Sequence, residues 1–457
     1  MPRPPLIAFY GDDFTGSTDA LEGLAAAGLR TALFTGVPAP ETLARHGDLD
    51  AVGIAGNSRA LTPDEMDDAV PAALRALRAT GAPLLHYKVC STFDSAPTIG
   101  SIGRVMDLAR GELGGGTIPI VVGAPRLGRY SLFGTLFARH NVDGTVHRLD
   151  RHPTMRAHPI TPMREADMRL HIGAQTAQSI ALLPAPAIAV GGELAAAALD
   201  AALASSPDAL LVDLADEPAE ARVGALLQLM AARTRPLFVV GSSGVGYALV
   251  ADWRANGRLP ARSPSMAAGP VDRILVVSGS CSPVTGAQIR SAVAVGFADI
   301  ALNPLALLAE GPDGPEAGRA IEKAARLLAA GRSVVVHSST GPEDLREAVV
   351  AARFGRIESG RALAAAAGHI LGQVLERTDL ARVVVAGGDT SSTAVQRLGI
   401  DALAMAAPLT PGAPICRILA PGHRLDGREI VLKGGQMGGP DFFLQARAGG
   451  TGPASAR

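Results

Sequence analysis

Residues 6–19 read LIAFYGDDFTGSTD: an apolar run, a glycine, two adjacent aspartates, then a small-residue turn that opens an Ala-rich stretch. A short apolar run, a turn and a helical pattern in that order form the first half of a βαβ unit. The rhythm recurs, with strands expected at 6–10, 51–54 (AVGI), 84–87 (LLHY), 118–122 (IPIVV), 209–213 (ALLVD) and 236–240 (PLFVV). Helices are expected at 17–28, 63–79, 98–113 and 218–233. Such alternation predicts a mostly parallel sheet covered by helices.

Residues 254–271 (RANGRLPARSPSMAAGPV) lack apolar periodicity and read as a linker. The rhythm then restarts with RILVVSG (273–279), a helix at 283–295, a strand at 298–302 and a helix at 316–330. SVVVHSS (333–339), a helix at 358–377, RVVVAGG (382–388) and a helix from about 390 follow. Within 412–443, ICRIL and EIVLK read as antiparallel edge strands. The fold class expected is α/β: two Rossmann-like α/β domains with mostly parallel sheets, at 1–253 and 272–445, and a disordered tail at 446–457. Because ligands gather at the carboxyl ends of such strands, the active site is expected in the cleft between the domains.

Composition narrows the function. The chain has 457 residues, 47% of them apolar and 19% charged, enough to bury the cores of two or three domains and unlike a disordered chain. Lys+Arg total 42 against 43 Asp+Glu, so no basic excess draws nucleic acid or an anionic membrane. Three scattered cysteines (Cys90, Cys281, Cys416) with no CxxC pair argue against a disulfide framework and fit a reducing compartment. The first apolar run meets Asp12 and Asp13 too soon for a secretory signal, and no stretch reaches the roughly 18–20 apolar residues of a membrane span. A soluble cytoplasmic protein is expected, with a symmetric homodimer as the base-rate assembly.

Of the 42 basic residues only Lys88, Lys323 and Lys433 are lysines. Where arginine serves almost everywhere, a retained ammonium marks a tight site, and Lys88 and Lys433 both fall in unusual motifs. Lys88 opens KVCSTFDS (88–95) directly after a strand, where Ser91, Thr92 and the ammonium make a compact site for a small anion such as a carboxylate. Arg59, in Asn57-Ser58-Arg59 after another strand, is a candidate bidentate clamp for the same anion. Asp12 and Asp13 can hold a metal, bind hydroxyls or act as a base, beyond the cap that Thr15 or Ser17 would give the following helix. An alternative use of Asp94 or Ser95 is to cap a helix beginning near Pro97.

Three Gly/Ser turns each follow a strand in the second half: Ser278–Ser282, Ala386–Ser392 and Lys433–Gly439. Small residues let backbone amides approach phosphates closely, so three such turns in one domain point to a nucleotide site. There is no Gly-Lys pair, hence no Walker A loop. The turn Gly241–Gly246 fits GxxGxG rather than the dinucleotide order and is a weak signal. His152 and His158, in HPTMRAHPITPM (152–163), have no third ligand at a familiar spacing and read as a rigid loop rather than a zinc site. Cys281, without a histidine partner, reads as a small buried residue rather than a nucleophile.

GDDFTGSTDA, YKVCSTFDSAPTIGSIG, HPITPM, SGSCS, AGGDTSS and KGGQMGG, in that order from about residue 6 to 443, resemble the four-carbon acid sugar kinase family, the kinases of 3-oxo-tetronate, threonate and erythronate. The resemblance implies an N-terminal domain that binds the acid sugar and a C-terminal domain that binds ATP. It also implies transfer of the γ-phosphoryl group to the terminal (C4) hydroxyl with Mg²⁺, 3-oxo-tetronate being the expected acceptor and the branched 3-oxo-isoapionate, threonate or erythronate the alternatives. Ser280, Ser282, Gly387, Gly388, Asp389, Thr390, Gly434 and Gly435 then look like ATP contacts. Asp12, Asp13, Arg59, Lys88, Ser91 and Thr92 look like the acid-sugar side, with Asp13 or Asp12 expected as the proton acceptor and Asp389 as the fallback, which could equally hold Mg²⁺. The last motif departs from the family form around Gln436. The rivals, a nicotinamide-dependent hydroxy-acid dehydrogenase and a non-catalytic acid-binding protein, lack GxGxxG with its distal acid and a secretion signal respectively.

Overall fold

The computed structural model describes residues 3–140, 143–158, 160–261, 266–341 and 343–450, and the chain divides into two compact units, Met1–Pro264 and Ser265–Arg457. In the first unit the described strands are β1 (Ile7–Gly11), β2 (Thr31–Phe34), β3 (Ala51–Ala55), β4 (Leu84–Lys88), β5 (Ile118–Val121), β6 (Arg129–Leu132), β7 (Thr135–Arg139), β8 (Val146–Arg148), β9 (Ile180–Leu183), β10 (Ala209–Val212) and β11 (Leu237–Gly241). All but β6–β8 form a parallel sheet in the order β2-β3-β1-β4-β11-β5-β10-β9. Its central strands are buried end to end, which is why they read as continuous apolar runs rather than alternating ones.

The covering helices follow from local chemistry. Helix Pro63–Ala79 starts at a capping box between Thr62 and Glu65 with Pro63 behind the cap, and buries Met66, Val70, Ala73, Leu74 and Leu77 at helical spacing. The helix after β1 runs from Phe14 to Ala26, three residues earlier than its sequence pattern implies, because Asp13 rather than Thr15 or Ser17 is the N-cap. The helix read at 98–113 begins at Ile102, capped by Ser101; Asp94 and Ser95 serve other partners. The antiparallel sheet β6-β7-β8 is fastened to the end of β10 by Asp213, whose buried carboxylate accepts from Ser131 Oγ (2.6 Å), the Gly134 amide (3.0 Å) and the Ala185 amide (3.0 Å).

The second unit holds β12 (Leu275–Ser278), β13 (Ala298–Ala301), β14 (Val334–His337), β15 (Arg382–Ala386), β16 (Ala402–Thr410), β17 (Ala413–Leu419) and β18 (Glu429–Lys433). Its strand order is β13-β14-β12-β15-β18-β17-β16, parallel as far as β18. EIVLK, read as an antiparallel edge strand, is therefore interior: β18 runs parallel to β15 and antiparallel to β17. Its five residues alternate too little for sequence to tell the two pairings apart.

The segments read as linker and tail carry more structure than their composition implies. Helix Gly244–Ala255 extends into the first, and residues 262–265 lie outside the described set. Helix Phe442–Ala448 overruns position 446, and 451–457 lie outside the described residues. Buried Arg382 accounts for this order. It bonds Glu429 and donates to the carbonyls of Gly269, Ala446 and Arg447, and Val271 adds an amide bond to Arg447.

Candidate functional site

In the first unit the signature residues converge at the carboxyl ends of β1, β3 and β4. Asp12 and Asp13 leave β1, Arg59 lies in the single turn of 3₁₀ helix after β3, and Lys88 ends β4. The register pairs Gly11 with both Ala55 and Lys88, so three distant sequence motifs share one rim. Two backbone bonds tie the loops together: Arg59 N–H to Asp12 O (3.0 Å) and Asp12 N–H to Lys88 O (2.8 Å).

Arg59 is the hub. Its Nε lies 3.3 Å from Asp12 Oδ2, its Nη1 3.9 Å from Asp94 Oδ2, and its Nη2 is paired with Asp13. About a quarter of its side chain stays exposed, and its Nε makes no hydrogen bond among the described residues. Asp13 is committed: Oδ1 accepts from the Gly16 amide (2.6 Å), Oδ2 from Thr15 Oγ1 (2.7 Å) and from Arg59. Asp12 is almost wholly buried and takes only long bonds from Arg59 (3.5 Å) and the Cys90 amide (3.4 Å).

The two carboxyls separate accordingly. Burial pushes Asp12 up to about 6, against the pull of Arg59 and Lys88. Burial acts on Asp13 too, but Arg59, the Thr15 hydroxyl, Lys88 and the Gly16 amide outweigh it and hold Asp13 below the usual carboxylate range. Lys88, itself buried, reaches Val89 O (3.1 Å) and Asp19 (3.6 Å), and Ser243 Oγ hydrogen-bonds the same Asp19 carboxylate. Thr92 donates to Asp94 Oδ1 (2.6 Å), and burial raises Cys90 to about 11, so that thiol stays neutral. The Ser91 hydroxyl, half-buried, has no partner among the described residues.

Asp19 and Ser243 were not read as site residues; the spacing of Asp19 from Asp13 in GDDFTGSTD was the available signal. Arg129, another omission, sits in β6 close enough to Asp94 to feel its charge, and burial lowers its own pKa. The turn at Gly241–Gly246 is structural: a Cβ at Gly244 would collide with the Gly123 carbonyl. His158 accepts from the Thr161 amide (3.0 Å), which holds the HPITPM loop, while His152 packs elsewhere, against His140 and His147.

In the second unit the three small-residue turns also meet. Ser278 is in register with Ala386, and Ala386 with Lys433, so the turns after β12, β15 and β18 stand side by side. The Gly279 amide donates to Ala386 O (3.1 Å) and the Gly387 amide to Lys433 O (2.9 Å). A Cβ at Gly279 would collide with Thr390 Oγ1, and Gly387 sits at φ +122°, so neither tolerates a side chain cheaply. Gly387 and Ser282 begin helices Gly388–Arg397 and Pro283–Ala294, whose first amides are anion donors.

Helix Pro283–Ala294 also clamps the third turn. Thr285 Oγ1 donates to Gly435 O (2.9 Å), and Gln288 Nε2 to the carbonyls of Met437, Gly438 and Gly439. Lys433 Nζ donates to Thr285 Oγ1 (2.9 Å), has no carboxylate partner among the described residues, and is driven by burial down to about 7. Thr285 and Gln288, three apart on one helix face, were not anticipated. Cys281, expected buried, is exposed in the turn.

Residues 7–249 match the sugar-binding N-terminal domain model and residues 275–443 the nucleotide-binding C-terminal domain model. The chain belongs to the four-carbon acid sugar kinase family. It is a sugar-acid phosphotransferase that uses ATP, and the two sets of residues described above lie one in each matched segment. A 3-oxo-isoapionate kinase of Paraburkholderia graminis is 46% identical over 98% of this chain and 95% of its own length. A 3-oxo-tetronate kinase of Methylobacterium radiotolerans is 34% identical, covering 95% and 97%. Among solved structures, a Salmonella typhimurium LT2 protein (TM-score 0.77, 26% identity, covering 96% and 98%) and a Haemophilus influenzae protein (TM-score 0.72, 25% identity, covering 96% and 99%) share this kinase's fold. No helix among the described residues is long and apolar enough to cross a membrane.

Proposed function

We propose that this kinase transfers the γ-phosphoryl group of ATP to the terminal hydroxyl of a 3-oxo sugar acid, with branched 3-oxo-isoapionate ahead of 3-oxo-tetronate. The ranking reverses the one drawn from motifs alone and rests on the 46% identity to a 3-oxo-isoapionate kinase. The observation that carries the mechanism is the split between Asp12 and Asp13 around Arg59.

Arg59 keeps an exposed edge, and its guanidinium takes the substrate carboxylate with Ser91 supplying a hydroxyl. Lys88 adds positive potential from below, and Thr92 orients Asp94. Asp12 accepts the hydroxyl proton as the hydroxyl oxygen bonds to the γ-phosphorus and the bond to the β-phosphate bridging oxygen breaks, releasing ADP. A carboxylate near 6 is better matched to that task at neutral pH than an ordinary one. Asp13, its oxygens occupied, anchors Arg59 and caps the helix.

Amides of the turns at Ser280–Ser282, Gly387–Thr390 and Gly434–Gly435 hold the triphosphate, where positioning is most of what phosphoryl transfer needs from the protein. Asp389, exposed in the first turn of its helix, offers the hard oxygen that suits Mg²⁺, an ion that would neutralise charge on the triphosphate. An ATP-to-ADP coupled assay over 3-oxo-isoapionate, 3-oxo-tetronates, threonates and erythronate tests the ranking. The highest kcat/KM is expected on 3-oxo-isoapionate, and a preference for any other acid overturns it.

A further inference from the structure

The small antiparallel sheet β6-β7-β8 carries a histidine cluster that the phosphotransfer chemistry does not use. His140 follows β7 and His147 lies in β8; His152 follows the next short helical turn. The three rings pack edge to face, with centroids 6.1 Å (His140–His147), 5.3 Å (His140–His152) and 5.8 Å (His147–His152) apart. Asp143 joins them, its Oδ1 3.0 Å from His140 Nδ1.

The chemistry of the four side chains is unequal. His152 is spent on the protein: its Nδ1 accepts from the Met155 amide (3.3 Å), and its ring bonds the Arg139 carbonyl. His147 is not, since its Nε2 is buried and has no hydrogen-bond partner among the described residues. A buried ring nitrogen left unpaired is destabilising unless something fills the position. One ligating atom each from His140, Asp143 and His147 lies within 4.8 Å of the other two. Tetrahedral zinc with bonds of about 2.0–2.1 Å sets ligand atoms about 3.3 Å apart, so small side-chain rotations close the site.

We propose that His140, Asp143 and His147 bind one zinc ion, with His152 packing against both imidazoles. Two neutral imidazoles and one carboxylate form a nitrogen and oxygen set suited to that borderline cation, and a fourth position is left for water. His140 is held close to Gly144 and Thr145 by backbone bonds from the His140 amide to Thr145 O (2.8 Å) and from the Gly144 amide to His140 O (2.9 Å). Zinc ties the end of β7 to β8. β7 pairs in turn with β6, where Arg129 both donates to the Arg139 carbonyl and faces the charge of Asp94. The metal is thus a brace for the hairpin that carries Arg129, separate from the ion on ATP.

The test uses the untagged full-length chain, stripped with chelator and titrated with Zn²⁺ by calorimetry, and with Co²⁺ by visible absorption. One equivalent of Zn²⁺ per chain is expected, together with tetrahedral Co²⁺ bands. Binding is expected to weaken at least tenfold in His147→Ala and in Asp143→Asn, and to be unchanged in the control His158→Ala. Asp143 is exposed, so Asp143→Asn keeps the fold even where His147→Ala does not. Zn²⁺ is also expected to raise the Tm of the parent chain and not that of Asp143→Asn. No saturable binding, or equal binding in Asp143→Asn, overturns the proposal.

Discussion

Arg59 Nε lies 3.3 Å from Asp12 Oδ2 while its Nη2 is paired with Asp13, so one guanidinium serves two carboxyls with opposite proton affinities. The difference comes from burial and occupancy: Asp12 is nearly sealed and poorly hydrogen-bonded, whereas Asp13 holds an amide, a hydroxyl and the arginine. On the proposed mechanism that asymmetry selects Asp12 as the proton acceptor.

Asp12→Asn is expected to lower kcat by about 10²–10⁴ while leaving the KM for ATP nearly unchanged. In the parent enzyme Asp12 must be ionised to accept the proton, so kcat/KM for the acid should fall tenfold per unit as pH drops below about 6. The sign for stability is the reverse: the folded chain holds this proton more tightly than the unfolded one, so ionising Asp12 as pH rises through about 6 weakens the fold. Initial rates and Tm from pH 4.5 to 8 check both.

Lys433 is held near 7 by burial without a carboxylate partner, and a triphosphate beside Gly434 and Gly435 would restore its charge. ATP binding above pH 7 is therefore expected to take up a proton and to weaken several-fold between pH 7 and 8.5. Calorimetry in buffers of different ionisation enthalpy reads the uptake, which should vanish in Lys433→Met.

Gly279→Ala places a methyl against Thr390 Oγ1. Overpacking of this kind is destabilising by about 1–3 kcal/mol, here at the first turn of the helix proposed to hold the triphosphate. The KM for ATP is expected to rise at least tenfold, while Gly246→Ala, whose methyl would meet only Leu24 at 4.0 Å, stays near the parent value.

Much of this was legible in the sequence. The parallel strands are apolar runs because both faces are covered, and the glycine and aspartate turns after them declare the rims. Six of the described strands escaped detection: RYSL, TLFAR and VHR in β6–β8 carry arginine and polar residues, TALF in β2 and IALL in β9 are four residues long, and ALAMAAPLT in β16 is alanine-rich with a proline near its end. Arg129 was hidden with them. Thr285 and Gln288 act through carbonyls about 150 positions away, and no local pattern announces a side chain whose partner is a distant backbone. Asp12 and Asp13 are adjacent and alike in sequence; only burial tells them apart.

Arg382 was likewise invisible as anything but one arginine among many. Arg382→Ala removes the partner of Glu429 and of three carbonyls, leaving buried polar groups unpaired. A loss of roughly 3–5 kcal/mol is expected from breaking such a buried pair. Urea unfolding followed by circular dichroism measures it.

The most direct test is to recover the product made from ATP and the preferred sugar acid and to locate its phosphate by ³¹P–¹H NMR. Coupling of the phosphorus to the terminal CH₂ protons is the predicted result, with one ADP formed per phosphorylated acid. Phosphate found on another oxygen, or released as inorganic phosphate with the acid unchanged, would contradict the account.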